Sequence, residues 1–470
     1  MGDGMDRLFF PRSVCVIGAS RDPIAYGHII LKNLINGCFA GEIYPVNPHA
    51  VQILSLKCYA SVREILNPID LAIIAVPAPV VPVVMEECVE KKIPYAIVIS
   101  AGFRETGEAG KALEAKVLRI AKEGGIRIMG PNCMGIYNSA NNLTATFTSL
   151  VPKQGEISFI SQSGAIGITM LAWAKKEGIG FGKFMSVGNE IDLSIADFLD
   201  YLKGDKSTKV VTVYMESVKD GRALIESFRS ASSSKPIIVM KVGGTQAGAR
   251  AASSHTGALA VEDLVMDGIF RQFSIMRVKD TEKLFELAVS FATLPIPAGR
   301  TAAVVTSGGG WAVECSDLME TNGLQMPHLP ASVREFMDSL LPSFWSKKNP
   351  IDMVASSDAE IYFRTVEALL RLKDYDMVFL IGYGVLGSIA VPSLGAKDAE
   401  YALRIASLVT ELKKPIYVVD VLGPEESESA RAFERAGLPV FSTVRSAVET
   451  AVDMVKYGEY LRRIGAHLQV

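Results

Sequence analysis

The chain has 470 residues, of which 49% are hydrophobic and 21% charged, with 40 glycines and 22 prolines spread along it. At about 150 residues per domain this length points to roughly three domains, and the composition is that of a folded α/β protein, which excludes disorder as the main state. Lys+Arg 48 against Asp+Glu 51 leaves a net charge of −3, so no global positive field exists to hold nucleic acid or an anionic membrane surface.

The apolar stretch Leu71 to Met85 is broken by Pro77, Pro79 and Pro82 and is too short for a bilayer span, which needs about 20 residues. No membrane segment is expected. Residues 1–12 carry Asp3, Asp6, Arg7 and Arg12 and have no apolar core of a secretory signal, so a cytoplasmic protein is expected. Six widely spaced cysteines (Cys15, Cys38, Cys58, Cys88, Cys133, Cys315) form no C-x-x-C pair, the pattern of reduced thiols and of a chain without structural metal.

Val- and Ile-rich runs alternate with helical patterns from the start, the signature of βαβ units. The first block shows strands at Ser13–Ile17, Ile43–Val46, Leu71–Val76, Tyr95–Ile99 and Arg127–Met129, with helices near Ile24–Asn36, Val80–Lys91 and Glu108–Glu123. A polar, strand-poor passage from Ser139 to Gln154 closes it. The second block has strands at Glu156–Ile160, Gly182–Met185, Val210–Met215, Pro236–Met240 and Ser274–Arg277. Pro295, Pro297 and Gly299 precede a third, which opens with the strand Thr301–Val305. The expectation is three successive doubly wound domains, 1–138, 139–296 and 297–470.

In the first block Gly18-Ala19-Ser20-Arg21 ends a strand, and a helix starts after Tyr26-Gly27, where backbone amides and the helix dipole receive an anion. The G-x-G-x-x-G fingerprint is missing, and the second strand ends in Pro45-Val46-Asn47-Pro48 without an acidic residue, which disfavours NAD and a dehydrogenase. The other strand ends read Val76-Pro77-Ala78-Pro79, Ser100-Ala101-Gly102-Phe103 and Gly130-Pro131-Asn132-Cys133-Met134-Gly135. Five strand ends in this order resemble the CoA-binding domain of the succinyl-CoA synthetase and ADP-forming acyl-CoA synthetase superfamily. The resemblance implies a Rossmann-like fold in which Gly18, Ala19, Ser20 and Arg21 face the CoA phosphates, Asn47 the nucleotide end, and Val76, Pro77, Ser100 and Ala101 the pantetheine arm. Where relatives often carry a basic residue after the Asn-Pro pair, this chain has His49. Cys133 lies near the CoA thiol by the same resemblance, although a lone cysteine is more often a small buried apolar residue.

Residues 243–257, Gly-Gly-Thr-Gln-Ala-Gly-Ala-Arg-Ala-Ala-Ser-Ser-His-Thr-Gly, contain twelve Gly, Ala, Ser or Thr among fifteen. A loop of that length with so little to bury is expected to be functional and movable. His255, one of five histidines in the chain, stands near its end. Two features accompany it: Ser161-Gln162-Ser163-Gly164, ending one strand and opening a helix, is a phosphate seat, and Glu216 ends the strand Val210–Met215 on the same carboxyl edge. A carboxylate that accepts from one imidazole nitrogen leaves the other free to attack phosphorus.

This set resembles the flavodoxin-like phosphohistidine domain of the same superfamily, which implies that His255 carries a phosphoryl group with Glu216 beside it. The helix continues Ala165-Ile166-Gly167-Ile168, without the polar groups of succinate-specific relatives, so acetate or another monocarboxylate is expected over a dicarboxylate. Thr306-Ser307-Gly308-Gly309-Gly310 and Asn349-Pro350-Ile351-Asp352 resemble the extra ligase domain of ADP-forming acyl-CoA synthetases, so the likeness covers about residues 8 to 460. No stretch is left for an ATP-grasp fold. The resemblance thus implies an α subunit that turns acyl-CoA, ADP and phosphate into acid, ATP and CoA. An ATP-grasp β subunit would complete an α2β2 heterotetramer and hold Mg²⁺ and the nucleotide, ADP or GDP. The rival is a CoA-binding regulatory protein without phosphoryl transfer, which has no use for His255, Glu216 and the serine pair together.

Overall fold

The computed structural model describes residues 5–245, 247–248, 263–354, 358–385 and 394–466. The chain divides into two compact units, 1–284 and 285–467. Among the described residues, no helix is long and apolar enough to cross a membrane.

The first unit contains two sheets. One is built from β1 (Ser13–Ile17), β2 (Glu42–Val46), β5 (Leu71–Ile74), β6 (Tyr95–Val98) and β7 (Arg127–Met129), all parallel, in the order β2-β1-β5-β6-β7. A two-residue antiparallel pair, β3 (Gln52–Ile53) and β4 (Leu56–Lys57), follows β2. Parallel neighbours need crossovers, supplied by the helices Tyr26–Asn36, Val81–Glu90 and Glu108–Gly124, which cover both faces and leave every residue of β1, β5 and β6 buried. Continuous Val/Ile runs are what such two-sided burial selects. The order reverses between β1 and β5, and a ligand crevice opens at such a point, outside the carboxyl ends.

The second sheet comprises β8 (Gly135–Asn138), β9 (Leu143–Thr146), β10 (Gln154–Ser161), β11 (Phe181–Ser186), β12 (Val210–Met215), β13 (Ile237–Lys241) and β14 (Met276–Val278), in the order β14-β13-β12-β10-β11-β8-β9. The polar passage expected to be strand-poor holds β9, which forms an antiparallel hairpin with β8. Amide side chains from outside the passage fasten backbone here: Asn33 Nδ2 donates to the carbonyls of Thr146 and Thr148, and Asn138 Nδ2 to that of Phe9. β8, placed before the expected boundary at 138, therefore pairs in the second sheet. One apolar cluster runs from Leu8, Val14 and Ile97 to Met185, Phe198 and Phe270, and this shared core makes the first two predicted blocks a single compact unit.

The second unit begins at Phe285, inside the helix Thr281–Thr293 and before the break predicted at 296. Side chains of this helix pack onto the C-terminal helix Val444–Arg463: Phe291 lies edge-on against Tyr457, and Glu286 accepts from the hydroxyls of Ser446 and Thr450. The sheet of this unit, made of β15 (Ala302–Thr306), β16 (Ile351–Asp352), β17 (Met377–Ile381), β18 (Ile416–Val419) and β19 (Val440–Phe441), is parallel in the order β16-β15-β17-β18-β19. The architecture is α/β with doubly wound sheets, as the sequence pattern predicts.

In the first unit the loop after β11 packs against the loop after β7. Gly188 has φ +56, and a Cβ there would lie 2.2 Å from the Pro131 carbonyl oxygen and 2.6 Å from that of Asn132. Gly188→Ala is expected to destabilise the unit by about 1–3 kcal/mol through overpacking and a left-handed backbone; a urea melt would show a lower midpoint at unchanged slope.

Candidate functional site

At the β1/β5 crevice the loop after β1 is fixed by backbone crowding. Gly18 has φ +90 and its amide donates to Val46 O at 3.0 Å. A Cβ on Gly27, at the start of the helix Tyr26–Asn36, would lie 2.0 Å from Gly18 O, so only glycine lets the helix end approach the strand end this closely. His28 Nδ1–H donates to Ser20 O at 2.8 Å, and Ser20 Oγ accepts from Asp22 N at 3.0 Å. Ala19 is buried, and its carbonyl accepts from Asn47 Nδ2 at 2.7 Å while Asn47 Oδ1 accepts from His49 N at 2.8 Å. Asn47 is therefore a staple between the loops after β1 and β2. Arg21 is exposed, with Nε donating to Gln52 O at 3.3 Å.

On the other side of the crevice, Pro77 and Ala101 are exposed and Val76 and Ser100 half-buried, with Ser100 Oγ donating to Val76 O. The crevice thus has a cationic, amide-rich end and an apolar wall, which fits a ligand with anionic phosphates and a long neutral arm. Cys133 is buried, its thiol donates to Val98 O at 3.3 Å, and burial pushes it up to about 12. It is a packing thiol, not a nucleophile.

The second sheet gathers the residues expected to seat phosphate. Ser161 is buried, with Oγ donating to Ser163 O at 2.7 Å, and Ser163 caps the helix Gly164–Lys176 by accepting from Ile166 N at 3.3 Å. The amides of Gly164 and Ala165 stand at the positive end of that helix. Gln162, expected to donate into the seat, supports it instead. Its backbone N donates to Tyr214 O at 3.2 Å, and Nε2 donates to Glu190 Oε2 at 2.6 Å and Ser217 O at 3.0 Å. Its Oε1 accepts from the amides of Glu216 at 2.6 Å and Ser217 at 2.9 Å. All its N–H groups are spent on the protein.

Glu216 is buried at the end of β12, and burial with this neighbouring carboxylate pushes the Tyr214 phenol up to about 12. Lys241, which ends the otherwise apolar β13, is buried under the same edge; Nζ donates to the carbonyls of Glu216 and Val242, and burial lowers its pKa. A charged residue closing the run Ile-Ile-Val-Met was the signal that sequence reasoning passed over. Glu190 belongs to Ser186-Val187-Gly188-Asn189-Glu190, which with Asp192 is a further match to the family pattern and reads in sequence as a loop, interface or helix-capping element; it is buried with φ +51, and burial raises its pKa against the opposing bonds from Ile195 N and Gln162.

His255 lies outside the described residues. Both flanks of its segment are described, and they meet: a Cβ on Gly244 would lie 2.5 Å from the Asp263 carboxylate. Asp263 pairs with Arg277 at 2.8 Å, and Arg277 with Asp267 at 2.6 Å. The two described flanks therefore lie together just beyond β13, the strand that pairs with β12.

A CoA-binding domain model matches residues 12–139 and a succinyl-CoA-ligase-like flavodoxin domain model residues 154–291. The α subunit of acetate–CoA ligase (ADP-forming) II from Pyrococcus furiosus is 37% identical over 455 residues, covering 96% of this chain and 97% of that one. The chain belongs to the ADP-forming acyl-CoA ligase family. The isozyme I α subunit from the same organism is 35% identical over 97% of this chain and 98% of its own. Acetate–CoA ligase (ADP-forming) from Methanocaldococcus jannaschii is 40% identical over 75% of this chain, which corresponds to 49% of that longer protein. Among solved structures, the acetyl-coenzyme A synthetase 1 of Ca. Korarchaeum cryptofilum in complex with phosphate and ADP superposes with a TM-score of 0.89 at 33% identity, over 99% of this chain and 100% of that one.

Two expectations follow for this ligase. Gly27→Ala forces the loop after β1 away from the helix and weakens CoA binding by about tenfold or more, as calorimetric titration would measure. With its pKa at about 12, Cys133 is about one part in ten thousand thiolate at pH 8, so iodoacetamide should modify the exposed Cys38 first and Cys133 only after denaturation, by peptide mass mapping.

Proposed function

We propose that this ligase chain performs the thioester and phosphohistidine half-reactions of an ADP-forming acetate–CoA ligase. A phosphate oxygen attacks the acetyl carbonyl carbon, the C–S bond breaks and CoA thiolate leaves, giving acetyl phosphate. An imidazole nitrogen of His255 then attacks phosphorus, acetate departs, and the phosphohistidine passes its phosphoryl group to ADP. The protein needs little covalent chemistry beyond His255; position and charge stabilisation supply the rest.

Gly18, Ser20 and Arg21 would meet the CoA phosphates, and Val76, Pro77, Ser100 and Ala101 the pantetheine arm, with Asn47 and Ala19 holding the loop that presents them. Phosphate would sit at the Ser163 hydroxyl and the Gly164 and Ala165 amides, with Ser161 and Gln162 bracing that turn and Glu216 orienting His255. The observation that supports this is the meeting of Gly244 and Asp263, the described flanks of the His255 segment, beside the same sheet whose strand ends carry the Ser163 helix cap and, just after β12, Glu216.

Acetate is favoured because the helix after the seat presents Ala165, Ile166, Gly167 and Ile168, and Gly164 lies against the Met134 side chain. Neither offers a partner to a second carboxylate. Two relatives of matching length are α subunits by name, whereas the Methanocaldococcus ligase has about half its length outside the match. These lengths support a second polypeptide, an ATP-grasp β subunit in an α2β2 assembly, as the holder of Mg²⁺ and ADP. The described cysteines are unpaired, in keeping with the cytoplasm.

Incubated with acetyl-CoA, Mg²⁺ and labelled phosphate without any partner, the wild type is expected to take up acid-labile label and His255→Ala none. A wild type without label would favour a CoA-binding regulator. Co-expression with an ATP-grasp chain should co-purify the pair and restore ATP formation, fastest with acetyl-CoA in a panel that includes succinyl-CoA and 4-hydroxybutyryl-CoA.

A further inference from the structure

The loop after β11 makes a contact that the half-reactions above do not require by themselves. Glu190 is 5% exposed, and each of its carboxylate oxygens has one donor: Oε1 accepts from Ile195 N at 2.7 Å and Oε2 from Gln162 Nε2 at 2.6 Å. An ionised carboxylate only accepts, whereas a primary amide has a donor end and an acceptor end that occupy nearly the same shape. With Glu190 in place, the NH2 of Gln162 must face it. The Gln162 carbonyl oxygen is then left to receive the Glu216 and Ser217 amides at 2.6 and 2.9 Å. The opposite orientation would set NH2 against two N–H donors and a carbonyl against a carboxylate, each a buried mismatch.

We propose that Glu190 is a positioning residue. As an acceptor-only group it fixes which way the Gln162 amide faces, and through that amide it holds the end of β12 where Glu216 serves phosphoryl transfer. The preceding residue anchors the same loop on the CoA side: Asn189 N donates to Pro131 O at 2.9 Å, and Asn189 Nδ2 donates to Glu105 Oε2 at 2.8 Å and Glu114 Oε2 at 3.0 Å. Glu105 in turn accepts from the amides of Gly102 and Phe103 at 2.7 and 3.1 Å, beside the pantetheine wall. Lys219 Nζ donates to the Glu190 carbonyl and closes the turn from below. This role rests on the phosphohistidine function proposed above.

The test compares wild type, Glu190→Gln and the swap Gln162→Glu/Glu190→Gln. Glu190→Gln is nearly isosteric but brings an NH2 against either the Gln162 NH2 or the Ile195 amide. In the swap, a carboxylate at position 162 accepts from the two strand-end amides and from the NH2 now at position 190. The amide oxygen at position 190 accepts from Ile195 N, but the carboxylate oxygen that replaces the Gln162 NH2 faces the Ser217 carbonyl, which had accepted from it at 3.0 Å, so the swap recovers only part of the loss. Three quantities are read: the rate of labelling from acetyl-CoA and labelled phosphate, the KM for acetyl-CoA, and hydrogen exchange of the peptide containing Glu216 and Ser217.

For Glu190→Gln the labelling rate is expected to fall by about tenfold to a hundredfold, as small misplacements at reacting groups do. KM should stay within about twofold, and the Glu216–Ser217 peptide should exchange faster, while the swap returns rate and protection towards wild type. Glu190→Gln labelling at the wild-type rate, a lost rate with unchanged hydrogen exchange, or a swap as slow as the single variant would each overturn the role. A wild type that takes no label overturns the phosphohistidine function and this role with it; a labelled wild type beside an equally labelled Glu190→Gln overturns the role alone.

Discussion

Parallel strands joined by helical crossovers deliver every loop that follows a strand to the same edge of the sheet. In the first unit this polarity assembles the chemistry. The loops after β1, β2, β5 and β6 leave one edge of the first sheet, and β10, β12 and β13 end at one edge of the second. The first group ends in sequence well before the second begins, yet the shared core from Leu8 to Phe270 makes them parts of one body. A ligand with a long neutral arm and a charged end suits such a body, since one end is held at a distance from where the other reacts.

Crowding at these edges is tolerated because the close contacts are between backbone atoms, and glycine removes the side chain that would prevent them. Gly27 against Gly18 and Gly188 against Pro131 are two such places, one on each sheet's loops. Polar side chains then satisfy what crowding leaves buried. Asn47, Gln162 and Asn189 each bond backbone or carboxylate groups from separate loops. A primary amide does this well because it donates and accepts at once, while its orientation has to be imposed from outside.

Much of this was legible in the sequence, and the pattern of what was not has a physical origin. Strands buried on both faces, such as Val-Val-Thr-Val-Tyr-Met in β12, declare themselves by composition, and so do the glycine turns that end them. The β8–β9 hairpin did not, because its Asn and Thr residues read as loop until Asn33 and Asn138 are seen holding its backbone. The unit boundary at 284/285 lies within a helix, where composition does not change; only the contacts of Glu286 and Phe291 reveal it. At the candidate site, Gly18, Ser163 and Glu216 stand just beyond strand ends, where the sequence pattern places them. The hydrogen bonds of Gln162 were hidden because one of its partners, Glu190, is 28 residues away.

The segment that carries His255 raises the opposite problem, since a stretch dominated by Gly, Ala, Ser and Thr has little apolar surface to contribute to a core. Closing the ends of a chain of that length costs on the order of 2–3 kcal/mol of entropy, rising only slowly with length. The contact between Gly244 and Asp263 and the pairing of Asp263 and Asp267 with Arg277 lie where the described flanks meet, and there they oppose that cost. Arg277 also donates to the Lys241 carbonyl at 3.3 Å, which joins the base of the segment to the strand whose lysine reaches under Glu216. The described flank Gly244 and the strand end that carries Glu216 therefore follow the neighbouring strands β13 and β12, and under the proposed function the precision of an encounter between His255 and Glu216 rests on the pairing of those two strands.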